Sequence, residues 1–184
     1  TMALVKISKG ADIRHGYTDG VSRVPVLEGA YKDAAVERIS LQPGAELSPA
    51  LYSKTEHNQV FLITAGKGYI ATPRRVFNIT EVSVFVPDFD KEQFTFHCAA
   101  DAKECMEIVH FVTELNDYDK TCLKEAHLTL PRFRGVSQAW HYKEDFTGAD
   151  IQQMMMIEHR NLGRLSMGAN FGTGPNYIGQ HIHN

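Results

Sequence analysis

From about Val36 to Val112 the apolar residues come in short runs, each closed by glycine or proline, and this constrains the fold more than any other feature. Val36-Glu37-Arg38-Ile39-Ser40-Leu41 runs into Gln42-Pro43-Gly44, and Val60-Phe61-Leu62-Ile63 stops at Ala65-Gly66-Lys67-Gly68. Tyr69-Ile70-Ala71-Thr72 ends at Pro73, and Val82-Ser83-Val84-Phe85-Val86 ends at Pro87-Asp88. Phe94-Thr95-Phe96-His97-Cys98 alternates with a period of two, and Met106 to Val112 closes the series. Short strands punctuated by turns every 8–12 residues or so make a sandwich or barrel. Nothing in this stretch has the 3.6-residue period of a long amphipathic helix. The expected class is all-β.

The remainder divides in two. Residues 114–149 are polar, contain Pro131 and carry a weak helical signal near Tyr118–Lys124, so they read as a connector that packs through Leu128, Phe133 and Trp140. From Asp150 strand signals return, in Ile151–Ile157 and Leu165–Phe171, followed by Gly172-Thr173-Gly174-Pro175 and the terminal Tyr177–Asn184. The expected organisation is residues 1–113, a connector at 114–149, and a second strand-rich unit at 150–184.

Composition excludes some functions. The net charge of −3 gives no basic excess for tracking phosphates, which argues against a nucleic-acid partner. No apolar run reaches the roughly 18–20 residues of a membrane helix, so no membrane partner is expected. Cys98, Cys105 and Cys122 show no metal-type spacing, and an odd count without a leader-like N-terminus indicates reduced thiols and a cytoplasmic setting. Nine histidines are many for 184 residues, and their placement matters more than their number.

Gln59-Val60-Phe61-Leu62-Ile63-Thr64-Ala65-Gly66 resembles the second half of the first cupin motif, where a glycine stands seven residues after a carboxylate. Val84-Phe85-Val86-Pro87 is similar to the start of the second cupin motif. The resemblance implies a cupin-type antiparallel barrel, or jelly roll, over the first unit. Cupin enzymes bind a divalent metal through His-x-His, a Glu and a later His. Here Ser53 and Thr55 stand at the His-x-His places, Gln59 at the Glu and Glu92 near the last His. Hydroxyls and an amide are poor ligands for a transition metal, so this module is expected to be metal-free.

A second resemblance lies at the other end. Leu165–Phe171, Gly174 and then His181-Ile182-His183 are similar to the start of another first cupin motif. Residues i and i+2 of a strand share a face, so His181 and His183 would reach one metal ion together, at about 2.1 Å. The pair of resemblances implies a bicupin whose second barrel begins at 150 and is incomplete at Asn184, as in a fragment of a longer protein or a barrel that a partner chain or an earlier segment completes. The function this implies is a metal-dependent enzyme acting on a small polar metabolite, of isomerase, hydrolase or dioxygenase type. Its metal (Mn, Fe, Ni or Zn) would be held partly by His181 and His183. The alternative is a metal-free binding or structural module for a sugar-like ligand, with Tyr52, Gln59 and Glu92 at the mouth of the barrel. The partners implied are a small molecule and, through Ala3-Leu4-Val5 and the apolar pieces around Phe85 and Phe94, a second copy in a homodimer.

Several features have plainer readings. His97 and His110 lie on strands and read as packed or hydrogen-bonded histidines. Met154-Met155-Met156 reads as thioether packing in a β-core. Asp88–Glu92 and Arg132–Arg134 read as solvated loop faces, and Gly66-Lys67-Gly68 as a turn, since no helix follows it to cradle a phosphate.

Overall fold

The computed structural model describes residues 7–142 and 151–172 of the chain. The expected strands form where the alternation placed them: β2 (Ala34–Leu41), β4 (His57–Ala65), β5 (Gly68–Ala71), β7 (Ser83–Val86), β8 (Thr95–Cys98) and β9 (Met106–Glu114). Four more complete this part of the fold: β1 (Val21–Val26), β3 (Glu46–Leu47), β6 (Val76–Ile79) and β10 (Arg132–Gly135). They pair into two antiparallel sheets, one in the order β1-β2-β9-β4-β7-β10 and one in the order β3-β8-β5-β6. Between the sheets lies a closed core of Ile39, Phe61, Ile63, Ile70, Phe85, Phe94, Phe96, Met106 and Ile108. Along β9 buried Met106, Ile108 and His110 alternate with the less buried Glu107, Val109 and Phe111 of the other face, as a two-layer barrel requires.

β1 carries Pro25 and escapes a sequence reading for that reason. Proline gives no ladder donor and is tolerated here because β1 is an edge strand. The turn between β4 and β5 depends on its glycines. Gly66 has φ +91°, and a Cβ on Gly68 would lie 1.9 Å from the carbonyl oxygen of His97.

Segment 114–149 is more than a connector. It contains α1 (Asp117–Glu125), whose N-terminus is closed by a capping box between Asn116 and Asp119. It also supplies β10, paired with β7, and β11 (Trp140–Tyr142). Arg132 and Arg134 are therefore strand residues and not a solvated loop: both bind Glu158, at 2.8 and 2.7 Å. Glu158 lies on β12 (Ile151–Leu162), which with β11 and β13 (Leu165–Gly172) makes a three-stranded sheet. Met156, Ile157 and Leu162 pack against Val60, Val84 and Val86 on the outer face of the large sheet. The unit expected to open a second barrel at 150 thus presents, over its described residues, a hairpin laid on the outer face of the large sheet. Met156 is buried in that contact, as thioether packing anticipates. No helix among the described residues is long and apolar enough to cross a membrane.

Candidate functional site

Register places the polar residues of the barrel interior. One row of cross-strand partners runs through the large sheet as Pro25, Glu37, His110, Phe61, Phe85 and Phe133. It changes from aromatic to charged at His110. Arg23 stands two residues along β1 from Pro25, and Gln59 two along β4 from Phe61, so both sit diagonally beside the Glu37–His110 pair. Side chains at i and i+2 face the same side, and the four converge inside the barrel.

Their hydrogen bonds form one chain. His110 Nδ1 lies 2.7 Å from Glu37 Oε1, and His110 Nε2 lies 3.0 Å from Gln59 Oε1. The Gln59 amide donates in turn to the carbonyl of Ala50, at 3.0 Å, in the loop between β3 and β4. Arg23 holds Glu37 from the other side, with Nε–H to Oε2 at 3.3 Å and Nη2–H to Oε1. His110 is 3% exposed and Gln59 4%. Burial by itself would raise the Glu37 carboxyl, but the hydrogen bonds and charges of His110 and Arg23 outweigh it and hold the group at about 2. Glu37 is a fixed anion at neutral pH.

This chain forms one wall of a cavity of about 460 Å³. Arg23, Glu37, Tyr52 and His110 supply its polar lining, with exposed Glu28 also contributing, while Pro25, Leu27 and Val112 are among its apolar walls. That is the size and composition of a small-molecule site. Tyr52 comes from the β3–β4 loop and is steadied by the ring of His57, 5.1 Å away.

Of the residues expected at the mouth of the barrel, Tyr52 lines the cavity and Gln59 lies behind it as a hydrogen-bond partner of His110. Glu92 is not among the lining residues: it pairs with Arg74 at 3.0 Å. His181 and His183 lie outside the described residues. Arg23, Glu37 and His110 were not anticipated as site residues. Glu37 and His110 carry a legible signal, a charged or polar side chain at the inward position of an alternating strand. Arg23 carries none, since β1 itself was not foreseen.

The metal set of a cupin enzyme does not fit this barrel. Ser53 and Thr55 bond to each other through their hydroxyls at 2.8 Å, both ends of the Gln59 amide are engaged, and Glu92 is paired. No group of three or more His, Cys, Asp or Glu among the described residues is placed to hold a metal ion.

No protein-family model matches the chain, and no curated protein matches it. Solved structures match it in shape. KdgF from Halomonas sp. is 11% identical with a TM-score of 0.50, over 62% of this chain and 97% of that one. A glyoxylate-induced protein from Pseudomonas aeruginosa is 8% identical with a TM-score of 0.57, over 76% of this chain and 50% of that one. A cupin protein from Bacteroides fragilis is 17% identical with a TM-score of 0.47, over 64% and 89%. The chain thus spans half the length of the Pseudomonas aeruginosa protein. At these identities the likeness is one of fold, the all-β cupin jelly roll.

Proposed function

We propose that the barrel binds a small polar, sugar-like ligand without a metal, in the cavity between Tyr52 and His110. The observation that carries this reading is the cavity of about 460 Å³, where an ordered Arg23–Glu37–His110 network meets apolar walls. Sugars and related metabolites need both kinds of surface: donors and acceptors for their oxygens, and apolar contact for their C–H faces. The network is organised before a ligand arrives, which lowers the ordering cost of binding.

The test is a panel of monosaccharides, sugar acids and polyols titrated into the protein in the presence of a chelator and followed by amide NMR. Shifts are expected at Glu37, Tyr52 and Val112, and Tyr52→Ala should weaken binding several-fold. Shifts confined to other parts of the molecule, or seen only after metal is added, would exclude this reading.

A second reading is carried by the sequence His181-Ile182-His183. On it, the residues from 150 onward open another cupin module, and the histidine pair contributes to a divalent-metal site (Mn, Fe, Ni or Zn). That site would serve isomerisation, hydrolysis or dioxygenation of a small polar metabolite. Metal content of the purified chain beside a His181→Ala/His183→Ala variant tests it. About one metal per chain, lost in the variant, supports the reading, and none in either after reconstitution removes it.

A further inference from the structure

The hydrogen-bonded chain from Glu37 to Ala50 has an acceptor at both ends, and this determines how many protons it must hold. At one end is the Glu37 carboxylate and at the other the Ala50 carbonyl. Gln59 must turn its NH₂ to Ala50, because the flipped amide would set two carbonyl oxygens against each other. Its Oε1 therefore faces His110. His110 then meets an acceptor at each ring nitrogen, at 2.7 and 3.0 Å. Only an imidazolium, with N–H at both positions, satisfies the two. A neutral ring would leave a lone pair against a lone pair at a residue that is 3% exposed. The face of Phe61, stacked 4.1 Å away, also favours the cation. The groups facing His110 are Glu37 from β2, Arg23 beyond it on β1, Gln59 and Phe61 from β4, and Tyr52 from the β3–β4 loop, which shares its cavity.

The cavity floor then holds two cations, Arg23 and His110, around one carboxylate, a net charge of one positive. The other acidic group of the lining, Glu28, is exposed to water and, like the part-exposed Arg23, acts on a ligand through a salt-screened field. The hydrogen bonds of Arg23 to Glu37 use Nε and Nη2 and leave the Nη1 hydrogens for a ligand.

We propose that the ligand of this cavity is a small carboxylate, a sugar acid or hydroxy acid whose anionic end is drawn to Arg23 and the imidazolium of His110. This rests on the reading of the cavity as a metal-independent binding site. Gln59 is a positioning residue: it touches no ligand and locks His110 in the charged form.

The experiment compares matched pairs, glucuronate against glucose and lactate against propane-1,2-diol, titrated by calorimetry with a chelator present, together with the ¹⁵N shifts of His110. The acid of each pair should bind about tenfold more tightly near pH 6.5, with the advantage shrinking as salt is raised. Both ring nitrogens of His110 should be protonated. Gln59→Glu sets a second carboxylate on His110, neutralises the floor, and should bring the acid-to-neutral ratio close to one. Should that variant not fold, the wild-type ratio and the ¹⁵N spectrum decide alone. Equal or tighter binding of the neutral member, or a neutral His110 ring, would overturn the carboxylate proposal and leave the binding site standing. Binding of neither member at the cavity would overturn both.

Discussion

The imidazole of His110 lies flat on the ring of Phe61, with centroids 4.1 Å apart and planes 4° from parallel. The two are cross-strand partners on β9 and β4, so backbone register alone brings them together. A charged ring above an aromatic face is worth more than its buried area. A double-mutant cycle with Phe61→Leu and His110→Asn, read by urea unfolding near pH 6.5, should give a coupling of about 1–2 kcal/mol. A coupling near zero would show that the contact is packing alone.

Glu37 should link stability to pH. Its carboxyl is held at about 2 in the folded protein against an ordinary 4.5. The unfolded chain takes up this proton first as pH falls. The stabilisation is therefore fully present above about pH 4.5 and is lost as pH falls through about 2. A few kcal/mol are involved, at roughly 1.4 kcal/mol per unit. Denaturant unfolding of Glu37→Gln should be weaker than wild type at pH 7, with the slope between those pH values flattened. An unchanged slope would assign acid unfolding to other carboxylates.

Arg164 fastens the β12–β13 hairpin to the barrel. It donates to Asp119 from Nε and Nη2 at 3.1 and 3.0 Å, to Asp33 at 2.9 Å and to the Glu114 carbonyl at 3.0 Å. The Asp119 side chain is only 4% exposed, so Arg164→Met removes the counter-ion of a buried carboxylate and leaves it the backbone N–H groups of residues 116 and 164. A loss of about 2 kcal/mol is expected, below the figure for a fully buried pair because Arg164 is half exposed. Hydrogen exchange should quicken in β12 and β13 before it does in β4 and β9. Uniform acceleration would mean that the hairpin and barrel unfold as one unit.

Gly68→Ala should be among the most damaging single-atom-scale changes in the chain. The added methyl meets a backbone oxygen at 1.9 Å, and the end of the flexible Met106 side chain at 2.8 Å cannot relieve that clash. A loss of about 3 kcal/mol or more is expected in thermal or denaturant unfolding. A melting temperature within a few degrees of wild type would show that the β4–β5 turn shifts to make room.

Much of the barrel is legible in the sequence because its determinants are local. Alternation in Phe94–Cys98 and Met106–Val112 states which side chains face inward, and Gly66, Gly68, Pro73 and Pro87 state where strands stop. β1 and β10 are hidden for equally local reasons: Pro25 interrupts one, and the Arg-Phe-Arg pattern of the other looks solvated until Glu158 is seen opposite. Of the residues expected at the mouth of the barrel, Tyr52 lines the cavity and Gln59 stands behind it, while Glu92 pairs with Arg74.

The sequence by itself determined an all-β chain with a cupin-like arrangement of turns, and put Ser53, Thr55 and Gln59 at the places where cupin metal enzymes carry two histidines and a glutamate. Those are matters of residue type and spacing along the chain. Only the tertiary structure decided that Arg23, Glu37, Gln59 and His110 form one network, since they come from four different strands. Their meeting depends on the pairing order β1-β2-β9-β4 and on its register. A one-residue slip in any of those pairings would turn the slipped strand's member of the network to the outer face.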